Sequence, residues 1–115
     1  MDEIEYRIES ELSDRDLNSL FASAWANHTE RKFGALLERS LTYVCAFAGS
    51  RLVGFVNVAW DGGIYGFILD TIVHRDFQRR GIGTEMMKRA AKIAAERGIE
   101  RLHVDYEHHV HAFYC

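Results

Sequence analysis

The chain has 115 residues, of which 48% are hydrophobic and 27% are charged, and its formal net charge is −3. This length and composition predict one globular domain, 1–115, and the acidic balance argues against general nucleic-acid binding. Two cysteines do not make a disulfide framework, and no apolar run approaches the roughly 20 residues that span a membrane, so we expect a cytoplasmic protein.

The first forty residues predict one strand and two helices. Ile4, Tyr6 and Ile8 alternate with charged residues, which is typical of a strand with one wet face. Ser13 is placed to cap a helix. Helical stripes of apolar residues follow and predict two short helices joined by a tight connection; they consist of Leu17, Leu20, Phe21, Ala24 and Trp25, and then Phe33, Leu36, Leu37 and Leu41.

The middle of the chain predicts an antiparallel meander of three strands. The run 42–48 favours a strand, and Gly49-Ser50 supplies a hairpin turn. A second strand covers 52–60, and the turn 61–63 leads into a third strand that ends near His74. We expect these three strands to lie side by side.

A basic loop with two glycines comes next. Residues 75–80 include three arginines, and Gly81 and Gly83 follow at the start of a predicted helix that ends near Gly98. Glycines at a helix start let backbone N–H groups approach a bound anion, and arginines add attraction for phosphate. A last strand, 102–106, should run parallel to the strand before the helix.

Three interpretations of this loop stay open from the residues alone. It can be an ordinary turn with solvated arginines, because a single G-x-G is weak evidence for a phosphate site. It can be a dinucleotide-binding turn with Asp105 as the ribose ligand, but Met86 stands where the third glycine belongs. It can also hold a pyrophosphate, as the order of strand, basic loop and helix favours.

The loop also carries a family resemblance. Gln78-Arg79-Arg80-Gly81-Ile82-Gly83 resembles the Q/R-x-x-G-x-G/A signature of the GNAT superfamily of N-acetyltransferases. The predicted element order β-α-α-β-β-β-α-β is also similar to that of the family. The resemblance implies an α/β (α+β) fold with a mixed, mainly antiparallel sheet flanked by helices, splayed between its fourth and fifth strands.

The resemblance implies a function and a cofactor site as well. It implies acetyl transfer from acetyl-coenzyme A to a primary amine, by direct attack of the amine. The cofactor-binding residues that it implies are Ile72 and Val73 in the strand, then Gln78, Arg79, Arg80, Gly81, Ile82, Gly83 and Thr84 in the loop. The family's usual glutamate base corresponds to Phe67, so no side-chain base is expected there.

The end of the chain supplies the predicted catalytic residue. Phe113-Tyr114 resembles the start of a family segment whose tyrosine protonates the departing thiolate, and an aromatic packed near a terminus is the equally open alternative.

The chain stops at Cys115, so the family's last strands are expected to be missing. An open sheet edge would then favour a homodimer. The alternative function is a catalytically silent domain that binds coenzyme A or a protein partner.

Two other groups have simpler interpretations. Three histidines near the end match no structural zinc spacing, so we expect no metal and a solvated helix start at His108, His109 and His111. Trp25 and Trp60 are expected to pack in the core rather than to line an acceptor pocket.

Overall fold

The computed structural model describes residues 3–104, which form a five-stranded sheet with helices on both faces. The elements are β1 Ile4–Ile8, α1 Asp14–Ala24, α2 Gly34–Arg39, β2 Thr42–Ala48, β3 Arg51–Trp60, β4 Tyr65–Val73, a 3-10 turn Arg75–Phe77, α3 Ile82–Glu96 and β5 Arg101–Val104. The strand order is β1-β2-β3-β4-β5, with the first four antiparallel and β5 parallel to β4. This confirms the predicted fold class.

Helix α1 begins where its sequence predicts. The hydroxyl of Ser13 accepts a hydrogen bond from the Asp16 N–H at 3.1 Å and so caps the helix. Leu17, Leu20 and Phe21 are buried from the same helical face. The connection to α2 is not tight as predicted, because residues 25–33 separate the two helices.

A side-chain network explains that longer connection. The amide nitrogen of Asn18 donates to the carbonyls of Asp14 and Arg31, at 2.9 and 2.8 Å. Its oxygen accepts from the Arg31 N–H at 2.9 Å and lies 2.8 Å from Nε2 of His28. One amide therefore uses all its hydrogen-bonding capacity to hold the loop against α1.

The sheet has a separate apolar core on each face. The core beneath α3 consists of Val44, Ala46, Val53, Val56, Val58, Ile68, Val73, Phe77, Ile82, Met86, Ala90, Ile93, Ala94 and Ile99. The core beneath α1 consists of Leu17, Leu20, Phe21, Phe33, Cys45, Phe47, Leu52, Phe55 and Ile72. Burial of both strand faces explains why β2 and β3 are almost continuously apolar.

Small residues let α3 lie close to the sheet. A Cβ atom at Gly54 of β3 would come within 2.9 Å of the sulfur of Met86 and 3.1 Å of the Ala46 Cβ. Ala90 and Ala94 on the helix are also buried. The contact fixes the start of α3 relative to the strands, because dense packing leaves little room for adjustment.

Strand β4 contains a β-bulge. Phe55 of β3 lies opposite Ile72, and two residues along β3 Asn57 lies opposite Leu69, three residues back along β4. Residues 70–71 of β4 therefore share one opposing residue.

The bulge exchanges the faces of the strand. Ile68 belongs to the core beneath α3, whereas Ile72 belongs to the core beneath α1 although the two are four residues apart. Val73 points back to the α3 side. Regular alternation would put Ile68 and Ile72 on the same face.

The two tryptophans and the last strand agree with the sequence predictions only in part. Trp25 packs against the core beneath α1, but Trp60 is 41% exposed, so the core assignment for Trp60 was wrong. The predicted last strand extended to Tyr106; β5 is described to Val104, and residues 105–115 lie outside the described part of the chain. No described helix has the length and apolar character needed to cross a bilayer.

Candidate cofactor site at the open edge of β4

The site lies where β4 and β5 stop pairing. β5 pairs with the first half of β4 only, from Tyr65 opposite Arg101 to Ile68 opposite Val104. Within residues 3–104, no strand pairs with the second half of β4 on that side. The described chain thus leaves a gap beside residues 69–73, as a sheet splayed between its fourth and fifth strands requires.

Backbone alternation shows which groups face the gap. The N–H of His74 donates to the Val53 carbonyl at 2.8 Å, so His74 faces β3 and the preceding Val73 faces the gap. Nε2 of Gln78 donates to the Val73 carbonyl at 3.1 Å, which ties the following loop to the strand end. By the same alternation the backbone of Ile72 faces β3, and its side chain is buried beneath α1.

A short turn carries the chain from β4 toward α3. The Phe77 N–H donates to the His74 carbonyl at 2.8 Å, and the Asp76 N–H donates to Nδ1 of His74 at 3.1 Å. Phe77 is buried in the core beneath α3 and anchors the turn. The turn is therefore held by its own hydrogen bonds and by one apolar side chain.

Two left-handed residues then shape the start of the helix. Arg79 has φ 65° and Gly81 has φ 79°, and Gly81 is the N-cap of α3. The Glu85 N–H donates to the Gly81 carbonyl at 3.0 Å. The N–H groups of Ile82 and Gly83 precede that helical bond and lie at the positive end of the helix dipole.

The charge around this turn suits a pyrophosphate. Arg75, Arg79 and Arg80 are exposed side chains on the turn, and the guanidinium of Arg80 lies 5.0 Å from the centre of the Phe77 ring. Gly83 is buried in the first turn of α3, where it adds no side chain beside the N–H groups. Arginines, uncapped N–H groups and a glycine together fit the anionic bridge of coenzyme A.

The surroundings of His74, at the base of this turn, disfavour its charged form. Burial lowers the pKa of its imidazole, and the nearby positive charge of Arg51 lowers it further. Nη2 of Arg51 lies 2.8 Å from Nε2, and the Asp76 N–H approaches Nδ1. The Asp76 N–H at Nδ1 and the charge of Arg51 beside Nε2 both disfavour the charged ring, and the Asp76 carboxylate, 3.9 Å from Nδ1, opposes them more weakly.

The sheet face opposite α3 carries a feature that sequence reasoning missed. Tyr65 and Phe67 of β4 lie beside His103 of β5, with ring planes within 20° and centroids 6.4 and 5.5 Å from His103. We call these three residues the ring face. Only the parallel register, which places Phe67 opposite His103, brings them together, and no local sequence pattern signals that pairing.

The predicted catalytic residue lies elsewhere in the chain. Tyr114 and the three C-terminal histidines lie outside the described residues, so their assignments stay predictions. Of the predicted cofactor residues, the structure brings Val73 and the loop 78–84 together at the open edge of β4, whereas the backbone of Ile72 faces β3.

Comparison with known proteins agrees with this architecture. The model of the acetyltransferase (GNAT) family matches residues 6–115. No curated protein matches the chain significantly. Among solved structures, a GNAT-family acetyltransferase from Streptococcus pneumoniae superposes with TM-score 0.77 and 24% identity, covering 92% of this chain and 77% of that one.

Two further solved structures are aminoglycoside acetyltransferases. One comes from an uncultured soil metagenomic sample in complex with sisomicin; it has TM-score 0.70 and 17% identity, covering 93% of this chain and 80% of that one. The other is an aminoglycoside N-acetyltransferase in complex with coenzyme A; it has TM-score 0.71 and 15% identity, with coverages of 96% and 82%. At these identities the likeness shows the fold.

Proposed function

The chain belongs to the acetyltransferase (GNAT) family, and from that premise we propose that it transfers an acetyl group from acetyl-coenzyme A to a primary amine. The observation that carries this proposal is the turn between β4 and α3, where Arg79 and Gly81 are left-handed and the helix begins without a side-chain cap. The structural neighbour with bound coenzyme A supports the same donor for this chain.

In this proposal the cofactor lies along the open edge of β4. The loop 78–84 holds the pyrophosphate through its backbone N–H groups and the side chains of Arg79 and Arg80. Val73 offers its N–H to the pantetheine arm, while Ile72 supports the strand from the buried side. Gln78 acts by holding the Val73 carbonyl and thereby the distance between strand and loop.

The chemistry follows from that placement. The neutral amine attacks the thioester carbonyl, a backbone N–H near Val73 stabilises the developing oxyanion, and the carbon–sulfur bond breaks. The amine loses its proton to water or to a nearby carboxylate. Tyr114 returns a proton to the departing thiolate, a task that suits a phenol because its ordinary pKa of about 10 keeps it protonated at neutral pH.

A silent coenzyme A-binding domain is the second candidate. Phe67 favours it, because the family resemblance places this residue where the usual glutamate base stands; its ring is 38% exposed. A phenyl ring cannot accept a proton. Transfer of labelled acetyl groups to a panel of amines separates the two candidates, since a silent domain would bind coenzyme A and acetylate nothing.

The cofactor site itself is tested by Gly83→Asp. Coenzyme A should raise the melting temperature of the wild type, because a ligand that binds only the folded state stabilises it. Gly83 is buried in the first turn of α3, so the variant places a negative charge beside the N–H groups proposed to bind phosphate, and the shift should disappear. The measurement is thermal unfolding with and without coenzyme A.

Gly34→Asp controls for the added charge at a helix start, at an exposed glycine where Gly83 is buried. Gly34 is the first residue of α2, and a Cβ there meets nothing within 4 Å. It adds the same charge at the start of a different helix, so its shift with coenzyme A should equal that of the wild type. An undiminished shift in Gly83→Asp would remove the loop from the cofactor site.

A further inference from the structure

The ring face presents aromatic rings to solvent. Tyr65 is 40% exposed and Phe67 is 38% exposed, although aromatic rings in strands usually pack against another layer. Both rings are nearly parallel to the imidazole of His103. These parallel rings lie on the same sheet face as α1. Helix α1 covers that face farther along the sheet, at Phe55 and Ile72.

The ring face lies next to the end of the proposed cofactor path. The loop 78–84 marks one end of the gap beside β4, and the last β4–β5 pair, Ile68 with Val104, marks the other. A cofactor that runs from the loop along the strand edge therefore brings its acyl end to this last pair. Phe67 and His103 are the immediately preceding pair in the ladder.

We propose that the ring face binds a flat aromatic group to which the acceptor amine is attached. This inference rests on the proposed acetyl transfer and names its class of acceptor, an arylalkylamine. A ring in the acceptor can stack on exposed, parallel rings, and aromatic pairs prefer such offset arrangements. A saturated chain of similar size would bury comparable area without the stacking contribution.

Charge narrows the class of acceptor further. Arg101 lies opposite Tyr65 and, two residues from His103 on β5, belongs to the same face. The four residues that β4 and β5 contribute here are Tyr65, Phe67, Arg101 and His103, and none carries a negative charge. A polycationic acceptor such as an aminoglycoside finds no counter-charge among them, whereas an aromatic ring with one amine does not need it.

Binding to the coenzyme A-loaded protein tests the inference without requiring turnover. We expect phenethylamine to bind roughly three- to tenfold more tightly than hexylamine, as the worth of an aromatic pair implies. Phe67→Leu should remove that preference, and Tyr65→Leu should reduce it. Trp60→Leu is the matched control, because Trp60 is equally exposed but lies outside the ring face, and it should keep the preference.

The outcomes separate this inference from the proposed function. Equal affinities for the two amines, or an unchanged preference in both Phe67→Leu and Tyr65→Leu, overturn the ring face as an acceptor site. Loss of self-association in Phe67→Leu with unchanged amine binding also overturns it and indicates an interface between copies. A clear preference without acetyl transfer to any amine of the panel keeps the ring face as a binding site for aromatic amines and removes the acetyltransferase function.

Discussion

Tyr114 is the side chain to which the family resemblance gives a chemical step, and Tyr114→Phe removes only its oxygen. General acid catalysis typically contributes about 10²–10⁴-fold, so turnover should fall by roughly that factor. The affinity for coenzyme A should stay nearly unchanged, because the substitution keeps the aromatic ring. Steady-state kinetics together with calorimetric binding of coenzyme A measure both quantities.

Tyr43→Phe is the matched control for the loss of a phenol. The Tyr43 hydroxyl donates to the Ser10 carbonyl at 2.8 Å, so its removal should cost about 1 kcal/mol of stability. Turnover at a temperature well below the melting point should not change. Full activity in Tyr114→Phe would mean that the thiolate takes its proton from water.

His74 should make stability depend on pH. Its folded-state pKa is lowered by burial and by Arg51, so the unfolded chain binds the proton more readily. Stability is fully present above the ordinary histidine value of 6.5 and is lost as pH falls from there through the lowered pKa. Melting temperatures between pH 7.5 and 5.5 should therefore fall less in His74→Gln than in the wild type.

Arg51→Gln gives an intermediate case. It removes the charge that lowers the pKa of His74 but leaves the burial, which is the larger cause. Its loss of stability on acidification should lie between those of the wild type and His74→Gln. Identical pH dependence in all three proteins would show that His74 accepts its proton as easily in the folded state as in the unfolded chain.

At the scale of elements, the sequence predicted correctly those helices, strands and turns that depend on interactions between neighbouring residues. The cap at Ser13, the strand β1 and the hairpin at Gly49-Ser50 all depend on a few residues, and the structure confirms them, although Ile8 is 49% exposed on the expected apolar side of β1. The tight α1–α2 connection was wrong because Asn18 holds residues 25–33 through bonds that span 13 positions. Such a contact leaves no periodic trace in the sequence.

The candidate site also has one part that the sequence could predict and one part that it could not. The glycine loop could be found because one short segment supplies all its parts. The ring face could not, because Phe67 and His103 are brought together only by the crossover from β4 through α3 to β5. Trp60 was misplaced for a related reason, since its hydrophobic character says nothing about whether another layer covers that end of the sheet.

For the whole molecule, we predict a homodimer in solution. The sheet of the described residues ends at β1 and β5, and unpaired strand edges favour association. We expect the β5 side to be the interface, so light scattering should give twice the chain mass for the wild type. Ile8→Lys places a charge on an exposed residue of β1 and should leave that mass unchanged.

Two results would contradict this prediction. A monomer at high protein concentration removes the dimer altogether. A dimer that dissociates in Ile8→Lys keeps the association but moves it to the β1 edge, away from the proposed cofactor site.

The bulge in β4 changes which side chains of the strand face α3. Before residues 70–71 the even-numbered side chain of Ile68 faces α3, and after them the odd-numbered side chain of Val73 does. Deletion of one residue there would restore a regular strand, and it would turn every later side chain by half a turn. Ile72 would then meet α3 and Val73 would meet α1, and the loop that follows would leave the strand in the wrong direction. One extra residue thus sets the direction in which the β4–α3 turn faces.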